Sequence, residues 1–377
     1  MESYQNLDIW YTKQLARVKK GLTYPLRIRY FSRVSDQLEQ TQRAERIEWI
    51  DILKGIAIIL VVMGHMTYEP GYAALKNGIY SFHMPLFMLL AGYTAALSMG
   101  RSASVGNFIY KRFIGIFIPY LVWSFMISPF ASLSTYQAYS FQDCLNNFLT
   151  GNVACWFLPC LLMLQLLFAL YTVVAARLKT SVGRCCLILL LFVAVTACHI
   201  AWGSGHSGVL DKWDLNFLTS TYRYYIPFGI GVALFQYPRF KDFCMSPAVC
   251  TLCVLIVLLL TGVRSDLPLV FKTHLRTVIG IAASLLLIRM FSGKLLPDWA
   301  NGQLKAIGRD TLIIYLISGT FLPHTCTWFH GMDGTMAFLV YLPICVAVCY
   351  ICMAIARMIS TSPWLSLLML GKPLRRK

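Results

Sequence analysis

Charged residues are scarce in this sequence of 377 residues. They make up 13% of the chain, against about 25% in an average soluble domain. Several stretches of about 20 residues hold few or no charges, which is the length that a helix needs to cross a hydrocarbon core of roughly 30 Å. The scarcity argues against a soluble globular protein and predicts a lipid environment.

Among the charged residues, the acidic ones are the less common. The chain has 16 Asp and Glu against 33 Lys and Arg, and its net charge is +17. A basic chain can bind nucleic acid, but here the basic residues lie between hydrophobic segments and form no single patch. That distribution is typical of a membrane protein with basic cytoplasmic loops, so we expect no nucleic-acid partner.

Metal-ligand spacing is also lacking, although the chain has 13 cysteines. Most of them lie in apolar runs, where a free cysteine behaves as a small hydrophobic residue. The pairs Cys250/Cys253 and Cys349/Cys352 are far apart in sequence and fall within apolar helical runs, unlike a zinc module or a disulfide framework. We expect neither a bound metal nor a disulfide scaffold.

Hydropathy predicts an all-α, polytopic membrane protein with about ten transmembrane helices. The predicted spans are residues 47–67, 78–99, 107–130, 152–176, 184–202, 222–238, 247–263, 273–291, 309–326 and 335–358. Of the 33 Lys and Arg, 26 fall in the termini and alternate loops, and six on the opposite side. This asymmetry predicts that both termini are cytoplasmic and that the chain lies in the cell (inner or plasma) membrane.

The termini are predicted to be basic cytoplasmic segments, an N-terminal extension over 1–46 and a tail over 359–377. The extension is interpreted either as a segment lying on an anionic leaflet or as a solvated tail. It contains no apolar core of a signal peptide, so we expect the first hydrophobic helix to act as a retained entry signal.

The first span carries three ionisable residues, Asp51, Lys54 and His65, although such groups are costly inside a membrane and are candidates for function. Eleven residues separate Lys54 from His65, which is about 20° beyond three full turns of helix, and Asp51 lies about 60° from Lys54. The three side chains therefore form a polar stripe, about 16 Å long from Lys54 to His65. A snorkelling pair near the interface is the alternative for Asp51 and Lys54.

A second histidine, His83, opens the second span, and the loop back to His65 is short. Both rings are expected to reach one cavity, where an imidazole near neutral pH can take or give a proton. The cytoplasmic start of the third span holds Lys111 and Arg112, which could bind phosphates. An ordinary basic flank explains that pair equally well.

These residues fall in motifs that resemble the acyltransferase type 3 membrane family, which includes fucose 4-O-acetylase-like and O-antigen acetyltransferases. Lys54 followed by ten residues and His65 is similar to the basic-x10-His signature of that family. Four further stretches match in the same order, at residues 81–93, 112–123, 156–159 and 307–316. The sequence departs from the pattern at Gly115, where many members have an arginine.

The resemblance implies that residues 47–358 form a ten-helix membrane acyltransferase domain. The donor would be an acyl-coenzyme A, usually acetyl-coenzyme A, and the acceptor a hydroxyl of a cell-envelope sugar or polysaccharide. His65 would act as general base with Lys54 as its basic partner. Beyond the resemblance, we expect Asp51 to pair with Lys54, so that no unpaired charge is buried, and His83 to orient the acceptor or stabilise the oxyanion. We also expect the coenzyme phosphates to contact Lys54, Lys111 and Arg112, which complement their charge.

Two other functions fit some of these observations. Intramembrane His, Asp and Lys also serve proton relays, so a transporter or flippase for a lipid-linked glycan or small metabolite is the main alternative. A non-catalytic sensor would be expected to lack the Lys54–His65 pair. Aromatic residues predicted on the outer side could stack on sugars or belong to an interfacial belt, namely Trp156, Trp213, Tyr222, Tyr224 and Tyr225.

Overall fold

A computed structural model describes residues 47–66, 73–135, 140–151, 155–202, 215–262, 269–293, 295–321 and 334–373. The chain divides into two compact units, and the larger one comprises Ile47–Met99 and Ser104–Lys377. Gly100–Ala103 are the described part of the smaller unit. The predicted extension over 1–46 lies outside the described residues.

Every regular element in these ranges is helical. In chain order the helices are α1 (Glu48–Met66), α2 (Ala73–Gly100), α3 (Val105–Arg112), α4 (Ile118–Thr135), α5 (Phe141–Thr150), α6 (Phe157–Ala175), α7 (Ser181–Trp202), α8 (Asn216–Gln236), α9 (Pro238–Cys244), α10 (Pro247–Gly262), α11 (Leu269–Phe291), α12 (Asp298–Arg309), α13 (Thr311–Phe321), α14 (Gly334–Ile359) and α15 (Pro363–Leu370). A π-helical turn, Phe113–Phe117, joins α3 to α4.

Seven stretches of helix are long and apolar enough to cross a membrane, which agrees with the prediction of a multi-pass membrane protein. They lie in α1, α2, the α3–α4 helix, α6, α7, α11 and α14. The other three predicted spans also coincide with helices, but α8 opens with polar and charged residues, and the described lengths of α10 and α13 are 16 and 11 residues. α9 and α10 together form an eighth candidate, bent by 54°.

α1 is the central helix of the larger unit. Its apolar run is buried along nearly its whole length, and it packs against α11, α12, α13 and α14. α12 approaches most closely because two glycines face the opposing backbone: a Cβ on Gly308 would lie 2.7 Å from the carbonyl carbon of Asp51, and a Cβ on Gly55 would meet the backbone of Leu304. This glycine contact holds α12 against the start of α1.

α2 packs closely against α8, again through glycines that face the opposing backbone. A Cβ on Gly92 would meet the backbone of Phe228 in α8, and a Cβ on Gly231 would meet the backbone of Leu89 in α2. Small residues of this kind let membrane helices approach closely. The contact fixes the position of α2, which carries His83.

Short helices outside the apolar spans have capped ends. α5 begins with a capping box, in which Asp143 accepts hydrogen bonds from the amide of Ser140 at 2.9 Å and from its hydroxyl at 2.7 Å. These bonds hold the pKa of the Asp143 carboxyl below its ordinary value. α15 begins after the capping hydroxyl of Ser362 and ends at Gly371, which has a left-handed conformation (φ 62°).

Candidate active site

The polar stripe of α1 faces protein along much of its length. Asp51 is buried, and Lys54 and His65 are half-buried on a helix whose other faces are packed. His65 lies in the last turn of α1, and Asp51 lies in its first turn. The stripe therefore extends from the first to the last turn of α1 within the bundle.

α2 meets the His65 end of this stripe through Tyr80. The Tyr80 hydroxyl lies 3.5 Å from the carbonyl oxygen of Gly64, and a Cβ on Gly64 would lie 2.7 Å from the Tyr80 ring. The same ring packs edge-on against the ring of His83, with the centroids 5.0 Å apart. Tyr80 therefore contacts both Gly64, the neighbour of His65, and His83. The structure thus places the two histidines that the sequence singles out at the same contact between α1 and α2.

His83 is held in a defined orientation. Only 4% of the residue is exposed, and its Nδ1 lies 2.7 Å from the carbonyl oxygen of Ile79. A carbonyl oxygen can only accept, so we assign the proton to Nδ1. In the neutral ring Nε2 then carries a lone pair and can accept a hydrogen bond from a bound hydroxyl.

At the other end of α1, Asp51 forms an ion pair with Arg309. The Arg309 Nε lies 3.6 Å from Asp51 Oδ2, and a second pair joins Lys305 Nζ to Glu48 Oε1 at 2.9 Å. Both cations belong to α12. The pairing of Asp51 with Lys54 stays a prediction. Arg309 was not singled out from the sequence as a site residue, although it lies within the last matching motif. Its position in that motif was the available signal.

The two basic residues at the end of α3 point in different directions. Lys111 is exposed, whereas Arg112 is half-buried with its guanidinium 4.6 Å from the centre of the buried Phe108 ring. The Nε of Arg112 is buried and has no hydrogen-bond partner among the described residues. A buried cation with donor capacity left over fits a side chain that binds a phosphate.

The aromatic residues considered for sugar stacking pack mainly on protein partners. Trp156 stacks on the buried Tyr224, with ring centroids 6.0 Å apart. Tyr222 stacks on His199, with centroids 4.7 Å apart. Trp213 lies outside the described residues. In the part of the chain that the structure describes, no three His, Cys, Asp or Glu side chains converge as metal ligands.

Two curated relatives share part of this sequence. The nodulation protein NolL of Sinorhizobium fredii (strain NBRC 101917 / NGR234) is 37% identical over 101 residues, which cover 24% of this chain and 26% of the relative. The nodulation protein NolL of Mesorhizobium japonicum (strain LMG 29417 / CECT 9101 / MAFF 303099) is 29% identical over 117 residues, covering 29% and 31%. The chain thus matches less than a third of the length of either relative.

The family comparison covers far more of the chain. A family model described as an acyltransferase domain matches residues 47–357. The match begins one residue before α1 and ends within α14, so it contains the polar stripe, both histidines and the α12 motif. The family predicted from the sequence motifs is confirmed, and the chain belongs to this acyltransferase domain family.

Proposed function

We propose that the protein is a membrane O-acyltransferase that moves an acetyl or other short acyl group from acyl-coenzyme A to a hydroxyl of a cell-envelope sugar or polysaccharide. The observation that carries the proposal is the contact of α1 with α2 beside His65, where Tyr80 touches Gly64 and packs against His83. Imidazole side chains can transfer protons near neutral pH, and membership of an acyltransferase family indicates that the transferred group is an acyl group.

In the proposed reaction, His65 takes the proton of the acceptor hydroxyl while the hydroxyl oxygen attacks the thioester carbonyl. The tetrahedral intermediate collapses by breaking the carbon–sulfur bond, and the departing thiolate takes the proton back from His65. The products are an ester and a free thiol. A route in which His65 is acylated first has the same overall balance.

Of the two roles considered for His83, orientation of the acceptor has the better support. Its Nδ1 is engaged by the carbonyl oxygen of Ile79, so a neutral His83 offers a lone pair to a hydroxyl and not a proton to an oxyanion. Since His65 takes the one proton of the reacting hydroxyl, His83 would accept a hydrogen bond from a second hydroxyl of the acceptor sugar and so hold the reacting oxygen toward the thioester.

The donor would enter from the end of α1 that carries Lys54 and Asp51. Arg112 is the best supported phosphate contact because its guanidinium is partly buried and its Nε has unused donor capacity among the described residues. Lys54 and Lys111 would add positive charge on the same side. The ion pair of Asp51 with Arg309 would keep the buried carboxylate compensated beside these cations.

We further propose ten spans, with both termini in the cytoplasm, in the plasma (inner) membrane. The excess of Lys and Arg on one set of loops supports this orientation. Acyl-coenzyme A would then approach from the cytoplasm, and His65 would lie in the half of the membrane nearer the envelope glycans. Residues 1–46 and 359–377 would be basic cytoplasmic segments flanking the acyltransferase domain.

The experiment that tests the proposal follows labelled acetyl groups from acetyl-coenzyme A into envelope glycans, using membranes that contain equal amounts of each protein. We expect the wild type to label glycan and His65→Ala to lose the labelling. His199→Ala is the matched control, because His199 also lies in an apolar helix but contacts Thr219 and Tyr222. It should label glycan like the wild type.

Other outcomes would contradict separate parts of the proposal. Equal labelling by the wild type and His65→Ala would remove His65 from the chemistry. Absence of labelling in all three proteins, with transport of a lipid-linked glycan that depends on the protein, would favour the transporter over the acyltransferase.

A further inference from the structure

An apolar groove runs between α6, α7 and α8. Its volume is about 430 Å³, and its walls are made largely of aliphatic and aromatic side chains, among them Leu164, Phe168, Leu189 and Phe228. Gly229 lies in its wall and leaves open space beside α8. None of the residues assigned to the proposed reaction lines it.

The length of the groove fits one lipid chain. It follows α8 from Tyr225 to Tyr237, and twelve residues of helix correspond to about 18 Å. One leaflet of a bilayer contributes about 15 Å of hydrocarbon. A single extended acyl chain would therefore fill the groove along its length.

One end of the groove is polar. Tyr171 and Tyr237 line it there, and Arg184 at the start of α7 lies one helical turn before Ile188, which also lines the groove. Arg184 donates from Nη2 to the carbonyl oxygen of Leu178 at 3.3 Å, while its buried Nε has no hydrogen-bond partner among the described residues.

The connection between α6 and α7 adds two more cations at this end. Arg177 and Lys179 are both exposed there. Positive charge next to the mouth of an apolar groove complements a ligand that joins an anionic head to a hydrocarbon chain.

We propose that this groove binds one acyl chain of an anionic phospholipid, whose phosphate is held by Arg184 with the hydroxyls of Tyr171 and Tyr237. The groove opens between α6, α7 and α8, and none of the residues proposed to contact the acyl donor lines it. It explains in one ligand both the apolar walls and the basic end of the groove.

The test measures lipid retention by the purified full-length protein with native mass spectrometry. Phosphatidylglycerol and phosphatidylcholine with identical acyl chains are the two probes. Both carry a phosphate, but the choline cation makes phosphatidylcholine neutral overall, whereas phosphatidylglycerol is anionic. We expect the wild type to retain phosphatidylglycerol about tenfold better, since lipid binding rises with the charge attraction as well as with buried hydrocarbon.

Two variants test separately how the acyl chain and the headgroup of the lipid are bound. Gly229→Leu fills the groove, and a Cβ at this position meets nothing within 4 Å, so the variant should fold and lose about tenfold in retention of both lipids. Gly302→Leu on α12 is the matched control, because its Cβ also meets open space. Arg184→Gln should reduce retention of phosphatidylglycerol to the level of phosphatidylcholine. Thermal unfolding of each variant checks that it is folded.

Three results would overturn the proposal. Retention of lipid by folded Gly229→Leu at the wild-type level would place the lipid elsewhere. Equal retention of the two lipids by the wild type would show that the site does not select an anionic headgroup. A protein dimer that forms in the absence of lipid and is lost in Gly229→Leu would assign the groove to a second copy of the chain.

Discussion

Arg309 at the end of α12 lies 3.6 Å from Asp51 in the first turn of α1. The two residues are 258 positions apart in the sequence, and the contact ties the last matching motif of the family to the start of the first. Gly308, the neighbour of Arg309, lets α12 approach the backbone of Asp51 and Gly55. The helix that carries Lys54 and His65 is therefore fixed at its first turn by both charge and close packing.

The Asp51–Arg309 pair should show measurable coupling in a double-mutant cycle. Asp51 is largely buried, with 11% of its side chain exposed, while Arg309 is half exposed at 49%. Solvent screening of Arg309 reduces the expected coupling to about 1 kcal/mol. The free energies of unfolding of Asp51→Asn, Arg309→Gln and the double variant, measured in one detergent, would give this value.

The more exposed pair of Glu48 and Lys305 is the matched comparison on the same two helices. The Glu48 side chain is 69% exposed, so its cycle should give less than about 0.5 kcal/mol. Additive effects at Asp51 and Arg309 would show that the ion pair does not stabilise the contact of α1 with α12.

The close contact of α12 with α1 predicts opposite effects for two glycines of the same helix. Gly308→Ala would put a Cβ 2.7 Å from the carbonyl carbon of Asp51 and 3.0 Å from the amide of Gly55. Both neighbours are backbone atoms that cannot rotate away, so the helices must separate, at a cost of about 1–3 kcal/mol. Gly302→Ala meets open space and should stabilise the protein by roughly 0.5–1 kcal/mol through helix propensity.

Thermal unfolding of the two alanine variants measures this contrast. Equal stability of Gly308→Ala and the wild type would mean that α12 does not pack on α1 as closely as described.

We expect the reaction to need Nε2 of His83, and we expect Nδ1 to hold the orientation of the ring. His83→Asn can still donate to the carbonyl oxygen of Ile79 but has no atom at the position of Nε2. His83→Gln can place an amide oxygen near that position as an acceptor. If His83 orients the acceptor hydroxyl, kcat should fall about 100-fold in His83→Asn and about tenfold in His83→Gln.

The rate of acetyl transfer and the unfolding temperature of both variants should be measured together. The reverse order, with His83→Asn the more active, would indicate that the bond to Ile79 and not Nε2 is the important feature of His83.

Lys111 and Arg112 are neighbours in sequence but should differ in their effect on the donor. Arg112 faces inward over Phe108, whereas Lys111 is exposed. Arg112→Gln should raise the KM for acyl-coenzyme A by about tenfold, as expected for loss of a charge-assisted bond to phosphate. Lys111→Gln removes the same charge from an exposed position, and we expect a change of less than about threefold.

Steady-state kinetics at several salt concentrations would separate the two variants, because the exposed charge should matter least at high salt. Equal increases in KM for the two variants would mean that net charge at this end, and not the inward position of Arg112, attracts the donor.

The placement of the main helices followed directly from hydropathy. The predicted spans 78–99 and 335–358 fall within α2 and α14, because a membrane helix needs a run of apolar residues that is visible without any tertiary contact. The meeting of His65 with the first turns of α2 was also predictable, since only a short loop separates their helices.

Other features depend on contacts that the sequence does not encode locally. Arg309 comes from the far end of the chain, so nothing near Asp51 indicated it as the partner. The opposite orientations of Lys111 and Arg112 depend on packing against Phe108. Residues Asn216–Gln236 form helix α8, but the polar residues in its first turns keep its mean hydropathy below that of a typical span.

The π-helical turn at Phe113–Phe117 acts as a register shift between α3 and α4. In this turn the amide of Ile118 donates to the carbonyl of Phe113, one residue further back than in an α-helix. A π turn takes up one extra residue, so removal of one residue here would restore α-helical spacing and leave α3 facing as it does now. Straightening the turn into an α-helix without removing a residue would instead rotate α3 by about 100° relative to α4. The wide turn thus keeps the Arg112 guanidinium, and not another side chain of α3, facing the interior of the bundle.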